Sequence, residues 1–195
     1  MIDKIDFKLI CMLQNNGRTT LKEMAEKIGY TSMGVKKRLD KLLNKDLISI
    51  KALINIEKFN LIPVIIFIEA EGGDVIRKIV NRFKNCPRLV NFYTAIGKYN
   101  LIALMIAEDL KTLESISTEE CSIRKIGGIR NIEYYPIGEI HYLPHLNIRL
   151  NLAGKSLSRA PCGVNCALCP RYRDNKCLGC PTTKHYRGSA LFKVT

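Results

Sequence analysis

The sequence lacks any apolar run near the ~20 residues that a membrane-crossing helix needs, so no membrane partner is expected. It also lacks a signal-peptide pattern. Met1–Leu13 is amphipathic and carries Asp3 and Asp6, which makes the cytoplasm the expected location. No paired carboxylates stand in a recognisable motif, no glycine loop is suited to phosphate, and no Ser/His/Asp arrangement is present, so catalysis is not expected. Acidic residues are few, 18 Asp and Glu against 31 Lys and Arg, for a net charge of +13. The shortage is uneven. Residues 1–62 carry +5, residues 63–150 only +1, and residues 151–195 carry +7 with Asp174 as their one acid. Basic ends around a neutral middle suit a polyanion such as double-stranded DNA.

What is present is a chain of 195 residues, long enough for two or three small domains. Ile2, Ile5, Leu9 and Leu13 recur at helical spacing and predict a helix over 3–14, stopped by Asn15-Asn16-Gly17 with the glycine as a left-handed cap. Thr20 and Glu23 fit a capping box, and Leu21, Met24, Ala25 and Ile28 form the apolar face of a second helix. Gly29 ends it. Thr31 or Ser32 can cap a third helix that buries Val35, Leu39, Leu42 and Leu43.

Two helices joined by a short glycine-containing turn make a helix-turn-helix. Its second helix would enter the major groove, with Thr31, Ser32, Met33 and Gly34 nearest the base edges. Lys36, Lys37 and Lys41 lie off the apolar face and suit phosphates, while Arg38 suits phosphate or guanine. Alternation through Ile48, Ile50, Ala52 and Ile54 suggests a strand, the wing of a winged helix.

The segments Ile2-Asp3-Lys4-Ile5-Asp6, Leu13-Gln14-Asn15-Asn16-Gly17-Arg18, Leu21-Lys22-Glu23-Met24-Ala25 and Val35-Lys36-Lys37-Arg38-Leu39 resemble the Lrp/AsnC family of transcriptional regulators. That resemblance implies a sequence-specific DNA-binding regulator that works as a homo-oligomer, a dimer or larger. A rival reading is an iron–sulfur or zinc enzyme, or a redox sensor, that uses the helix-turn-helix as a scaffold.

The middle of the chain reads as βαββαβ. Strands are expected at 62–70, 89–96, 101–107 and 129–140, with helices capped by Asp74 and Asp109. The fold class is therefore α+β: a winged helix-turn-helix at 1–62, a ferredoxin-like domain at 63–152, a linker at 153–161 and a cysteine-rich module at 162–195. The family resemblance implies that the middle domain pairs subunits and, in many members, binds a small effector. The family turn is often Gly-x-Tyr/Phe-Asp. Here it is Gly97-Lys98-Tyr99-Asn100, and Asn100 lacks the charge that would counter an amino group. His141 and His145 flank Pro144, which argues against a shared helical face, so they read as surface or strand-end residues.

Three cysteines, Cys11, Cys86 and Cys121, are scattered among apolar residues and read as small buried hydrophobes. The other five form Cys162-x3-Cys166-x2-Cys169-x7-Cys177-x2-Cys180. Such clustering favours one metal centre over disulfides. Zinc takes four thiolates, and so does a four-iron four-sulfur cluster; the spacing leaves both open, with one cysteine spare. This stretch resembles small cysteine domains of undefined role. Its basic residues and interleaved Tyr172, Tyr186 and Phe192 also suggest a second nucleic-acid contact.

Overall fold

The computed structural model describes residues 2–189. Phe192 and Lys193 of the basic tail lie outside them. The chain divides into two compact units between Ala52 and Leu53.

The first unit holds three helices, α1 (Lys4–Asn15), α2 (Leu21–Ile28) and α3 (Ser32–Asn44). The expected apolar spacing makes its core: Leu9 of α1, Met24 and Ala25 of α2, and Val35, Leu39 and Leu42 of α3 are buried together. The caps explain where the helices begin. Asp3 accepts from the Ile5 and Asp6 amides, and Asp6 returns a bond to the Asp3 amide. Thr20 and Glu23 close the expected capping box on α2, and the Thr31 hydroxyl accepts from the Gly34 amide at 3.1 Å. Gly29 ends α2 at φ +72°, a conformation that glycine adopts cheaply. Gly17 does not play that part for α1. Asn16 ends the helix in an extended conformation. Nor do residues 48–53 form a wing strand. Pairing begins at β1 (Ile54–Asn55), which lies in the second unit and runs antiparallel to β6 (His145–Leu146).

The second unit carries the expected βαββαβ order. Its elements are β2 (Ile62–Ala70), α4 (Gly73–Phe83), β3 (Leu89–Thr94), β4 (Leu101–Ala107), α5 (Leu110–Thr118) and β5 (Ile129–Pro136). The four strands form an antiparallel sheet in the order β3-β4-β2-β5. One face of it, with Val64, Ile66, Ile68, Leu101, Ala103 and Met105, packs on α4 and α5 through Val75, Ile79, Phe83, Leu113 and Ile116. The other face shows the alternate residues of the same strands. Cross-strand registers there pair Ile65 with Leu104 and Tyr135, and Phe67 with Ile102.

Several local expectations shift. Asp109 caps α5 as expected, but Asp74 does not cap α4. It lies within the first turn and faces Lys78 one turn on. The last strand of the sheet stops at Pro136. Beyond it, Leu150–Leu152 forms a 3-10 turn. The 153–161 segment is not a free linker. Ala153 and Ala160 are buried, and Leu157 bridges Thr183 in a parallel register.

Candidate functional site

The residues expected to meet DNA lie on and just before α3. Thr31, Ser32, Met33, Lys36, Lys37 and Lys41 are all exposed, and Met33 is 63% exposed although it is apolar. Gly34 is half-buried, and its role is internal as well as steric. A Cβ there would stand 3.3 Å from the Thr31 hydroxyl that caps the helix.

Arg38 is placed differently from the lysines. Its Nη1 donates to Asp3 at 2.6 Å and to Asp6 at 2.7 Å. Asp6 is fully buried, and Lys41 stands 4.0 Å from its other oxygen. The Arg38 guanidinium also lies over the Tyr30 ring, 5.5 Å from its centroid. It therefore ties the start of α1 to α3. The Asp6 amide first, and Arg38 second, hold the Asp3 carboxyl below the usual carboxylate range. Spacing alone did not reveal this clamp, because the partners lie 32 and 35 residues apart.

The expected effector turn is engaged with its own fold. Gly97 has φ +152°. The Asn100 amide exchanges two hydrogen bonds with the Ala70 main chain, at 2.9 and 2.8 Å, and so extends the β2 ladder by one side chain. The Tyr99 hydroxyl donates to Glu133, which pushes the Tyr99 phenol up to about 12. The Tyr99 ring packs 5.6 Å from Phe67.

Within the second unit, the cysteine-rich segment docks on the sheet domain through polar contacts. Arg88 makes a two-pronged bond to Glu108, at 2.8 and 2.9 Å, with both side chains almost wholly buried. Arg88 also donates to the Gly179 carbonyl at 2.6 Å, and the Tyr186 hydroxyl donates to Glu108 at 2.8 Å. Burial opposes the Arg88 charge, but the Glu108 carboxylate keeps the guanidinium firmly protonated.

Helix α5 supplies the second dock. The Leu178 amide donates to the Thr112 hydroxyl, and Ser115 bonds the Lys176 carbonyl while accepting from Arg171. Thr112 and Ser115 are buried polar residues on a helix that otherwise turns Leu113 and Ile116 inward. That pair was the signal of a polar partner. Arg171 reaches Glu114, Arg173 reaches the Leu168 carbonyl, and Arg187 lies over the Tyr172 ring at 3.9 Å. Three of the tail arginines expected to face nucleic acid are thus engaged inside the segment and its dock.

Between this segment and the sheet lies a cavity of about 450 Å³. All five tail cysteines, Cys162, Cys166, Cys169, Cys177 and Cys180, line it. Cys86 and Cys121, which pack against the core as expected, line it too. Burial pushes the Cys86 thiol up to about 12 and raises Cys162, Cys166 and Cys177 as well. Among the described residues, no three His, Cys, Asp or Glu side chains converge on one point closely enough for a single ion.

Comparison with known proteins places this geometry. A model of winged helix-turn-helix DNA-binding domains matches residues 2–49. An HTH-type transcriptional regulator of Pyrococcus furiosus is 30% identical over 141 residues, which cover 71% of this chain and 94% of that one. The HTH-type transcriptional regulator Ptr1 of Methanocaldococcus jannaschii is 25% identical over 121 residues, 62% of this chain and 82% of its own. Among solved structures, Escherichia coli AsnC aligns with a TM-score of 0.64 at 15% identity, covering 74% of this chain and 99% of AsnC. The regulator NMB0573 of Neisseria meningitidis, solved as an L-Met complex, aligns with a TM-score of 0.65 at 19% identity, covering 73% and 94%. These proteins are spanned over 82–99% of their length, while more than a quarter of this chain lies outside each match. No helix among the described residues is long and apolar enough to cross a membrane. A helix-turn-helix with its basic face open, joined to a sheet domain of AsnC form and matched along nearly the whole of a regulator, has one reading: the chain belongs to the HTH-type transcriptional regulators.

Proposed function

We propose that the protein is a sequence-specific, homo-oligomeric regulator of the Lrp/AsnC type whose operator affinity answers to a metal centre held by its tail. The observation that carries the DNA reading is α3. Its N-terminal residues Thr31, Ser32 and Met33 are open for base edges, and Lys36, Lys37 and Lys41 flank them for phosphates. Arg38 serves as a positioning residue through Asp3 and Asp6.

Support for the oligomer comes from the open face of the sheet. Phe67, Ile65, Ile102 and Leu104 share it with Tyr93 and Tyr135, each of which is 51% exposed. A two-fold pairing would cover that apolar face and present two recognition helices to a palindromic site. An amino-acid effector has less support. NMB0573 was solved with L-Met, but the corresponding expectation here, Gly97, Tyr99 and Asn100, meets an asparagine already bonded to Ala70. The cysteine cavity favours a signal of another kind.

Footprinting on genomic fragments tests this function. Protection of paired half-sites is expected. Lys36→Ala should weaken binding similarly across sequences and lower the salt slope by roughly one counterion. Chelation of the metal should change operator affinity. Uniform protection without half-sites would make the chain a non-specific DNA protein.

A further inference from the structure

We propose that the cavity between the tail and the sheet is built for a four-iron four-sulfur cluster, held by Cys162, Cys166, Cys177 and Cys180. The inference rests on the reading that the tail holds a metal, and it names the group and its ligands.

Size argues first. A structural zinc draws four sulfurs to about 2.3 Å from the ion and leaves no chamber between them. The space here is about 450 Å³, while one water accounts for only about 30 Å³. All five tail cysteines border this one space. A polynuclear group has a volume of its own and takes four thiolates at its corners.

The main chain argues second. The Cys177 sulfur accepts the Gly179 amide at 3.4 Å. Amides aimed at sulfur stabilise thiolates and help to set the potential of a cluster. Two turns beside the cysteines place glycine in the left-handed region, Gly163 at φ +88° and Gly179 at φ +81°. At Gly179 a Cβ would also lie 2.9 Å from the His185 carbonyl oxygen. Cys180 borders the same cavity, and its sulfur lies 3.2 Å from the Thr182 hydroxyl.

The surroundings argue third. Four thiolates give such a group a net negative charge, and both Arg82 and Arg88 border the cavity. The Arg82 Nε is buried with no hydrogen-bond partner, an unmet donor at the wall. Cys169 borders the cavity too, but its sulfur faces the Glu119 carboxylate at 3.9 Å, a like charge beside any thiolate there. Cys86 and Cys121 come from the ends of α4 and α5, so the wall of the site belongs to the sheet domain itself.

The test uses the full chain, purified without oxygen and loaded with ferrous iron and sulfide. The expected result is roughly four iron and four sulfide per chain and a brown protein with broad visible absorption. Cys162→Ala should lose the colour, and Cys169→Ala should keep it. One zinc per chain with no sulfide would overturn the cluster. Equal loss in Cys169→Ala would overturn the ligand assignment. Should Cys162→Ala fail to fold, the iron and sulfide count of the unaltered chain still decides. Gel retardation on the same samples separates the two readings: absent cluster with intact operator binding sinks this inference alone, and full cluster without operator binding sinks the regulator.

Discussion

The two ends of the molecule are both basic, yet they are held together in different ways. The three-helix unit buries a core of Leu9, Met24, Val35, Leu39 and Leu42, and its charge remains at the surface on α3. The cysteine-rich segment has few large apolar side chains. It is fixed by a buried ion pair, by hydroxyls of α5 and by main-chain bonds. In the first, hydrophobic spacing decides the structure and frees the cations for a partner. In the second, polar groups decide it and engage most of the arginines. Equal charge in a sequence therefore does not mean equal availability to DNA.

The sharpest way to break this contrast is Glu108→Ala. It removes one member of a buried pair and strands the Arg88 charge, which costs about 3–5 kcal/mol. Chemical denaturation should show the second unit weakened, with the melting of residues 1–52 unchanged. A loss below about 1 kcal/mol would mean that the tail is not fixed by this pair. Next comes Leu42→Ala in the helical unit, with an expected cost of about 2–5 kcal/mol from lost burial and the cavity left behind. It should lower the stability of the head and leave the second unit in place. If both variants shift a single common transition, the two units unfold as one, and the contrast is not thermodynamic.

The smallest expected effect is on pH. The Asp3 carboxyl has its folded value lowered by the Asp6 amide and by Arg38. Its contribution is thus present above the unfolded carboxylate range and is lost as pH falls below about 4. Asp3→Asn should flatten the acid limb of the head's stability profile. An identical limb in the variant would show that Asp3 makes no contribution to it.

Much of the fold was legible because it repeats. The helical spacing of Leu9, Met24 and Leu39 and the alternation through Val64, Ile66 and Ile68 predict elements and their inward faces alike. Thr20, Thr31 and Asp109 marked helix starts for the same local reason, a side-chain oxygen within reach of amides two or three residues on. Local signals failed where another option existed nearby. Asn16, not Gly17, ends α1, and the 48–54 alternation found no neighbour to pair with until Ile54.

At the candidate sites, the sequence by itself determined the residue types: a basic third helix and five thiols at metal-like spacing. These follow from chemistry carried within a few residues. Only the tertiary structure decided how they are used. It set Arg38 on Asp3 and Asp6, bonded Asn100 to Ala70, and brought Cys86 and Cys121 to the same cavity as the tail. Each of those arrangements joins positions at least 30 residues apart. Periodicity reports which way a side chain faces, but the partner it meets is chosen by the packing of whole elements.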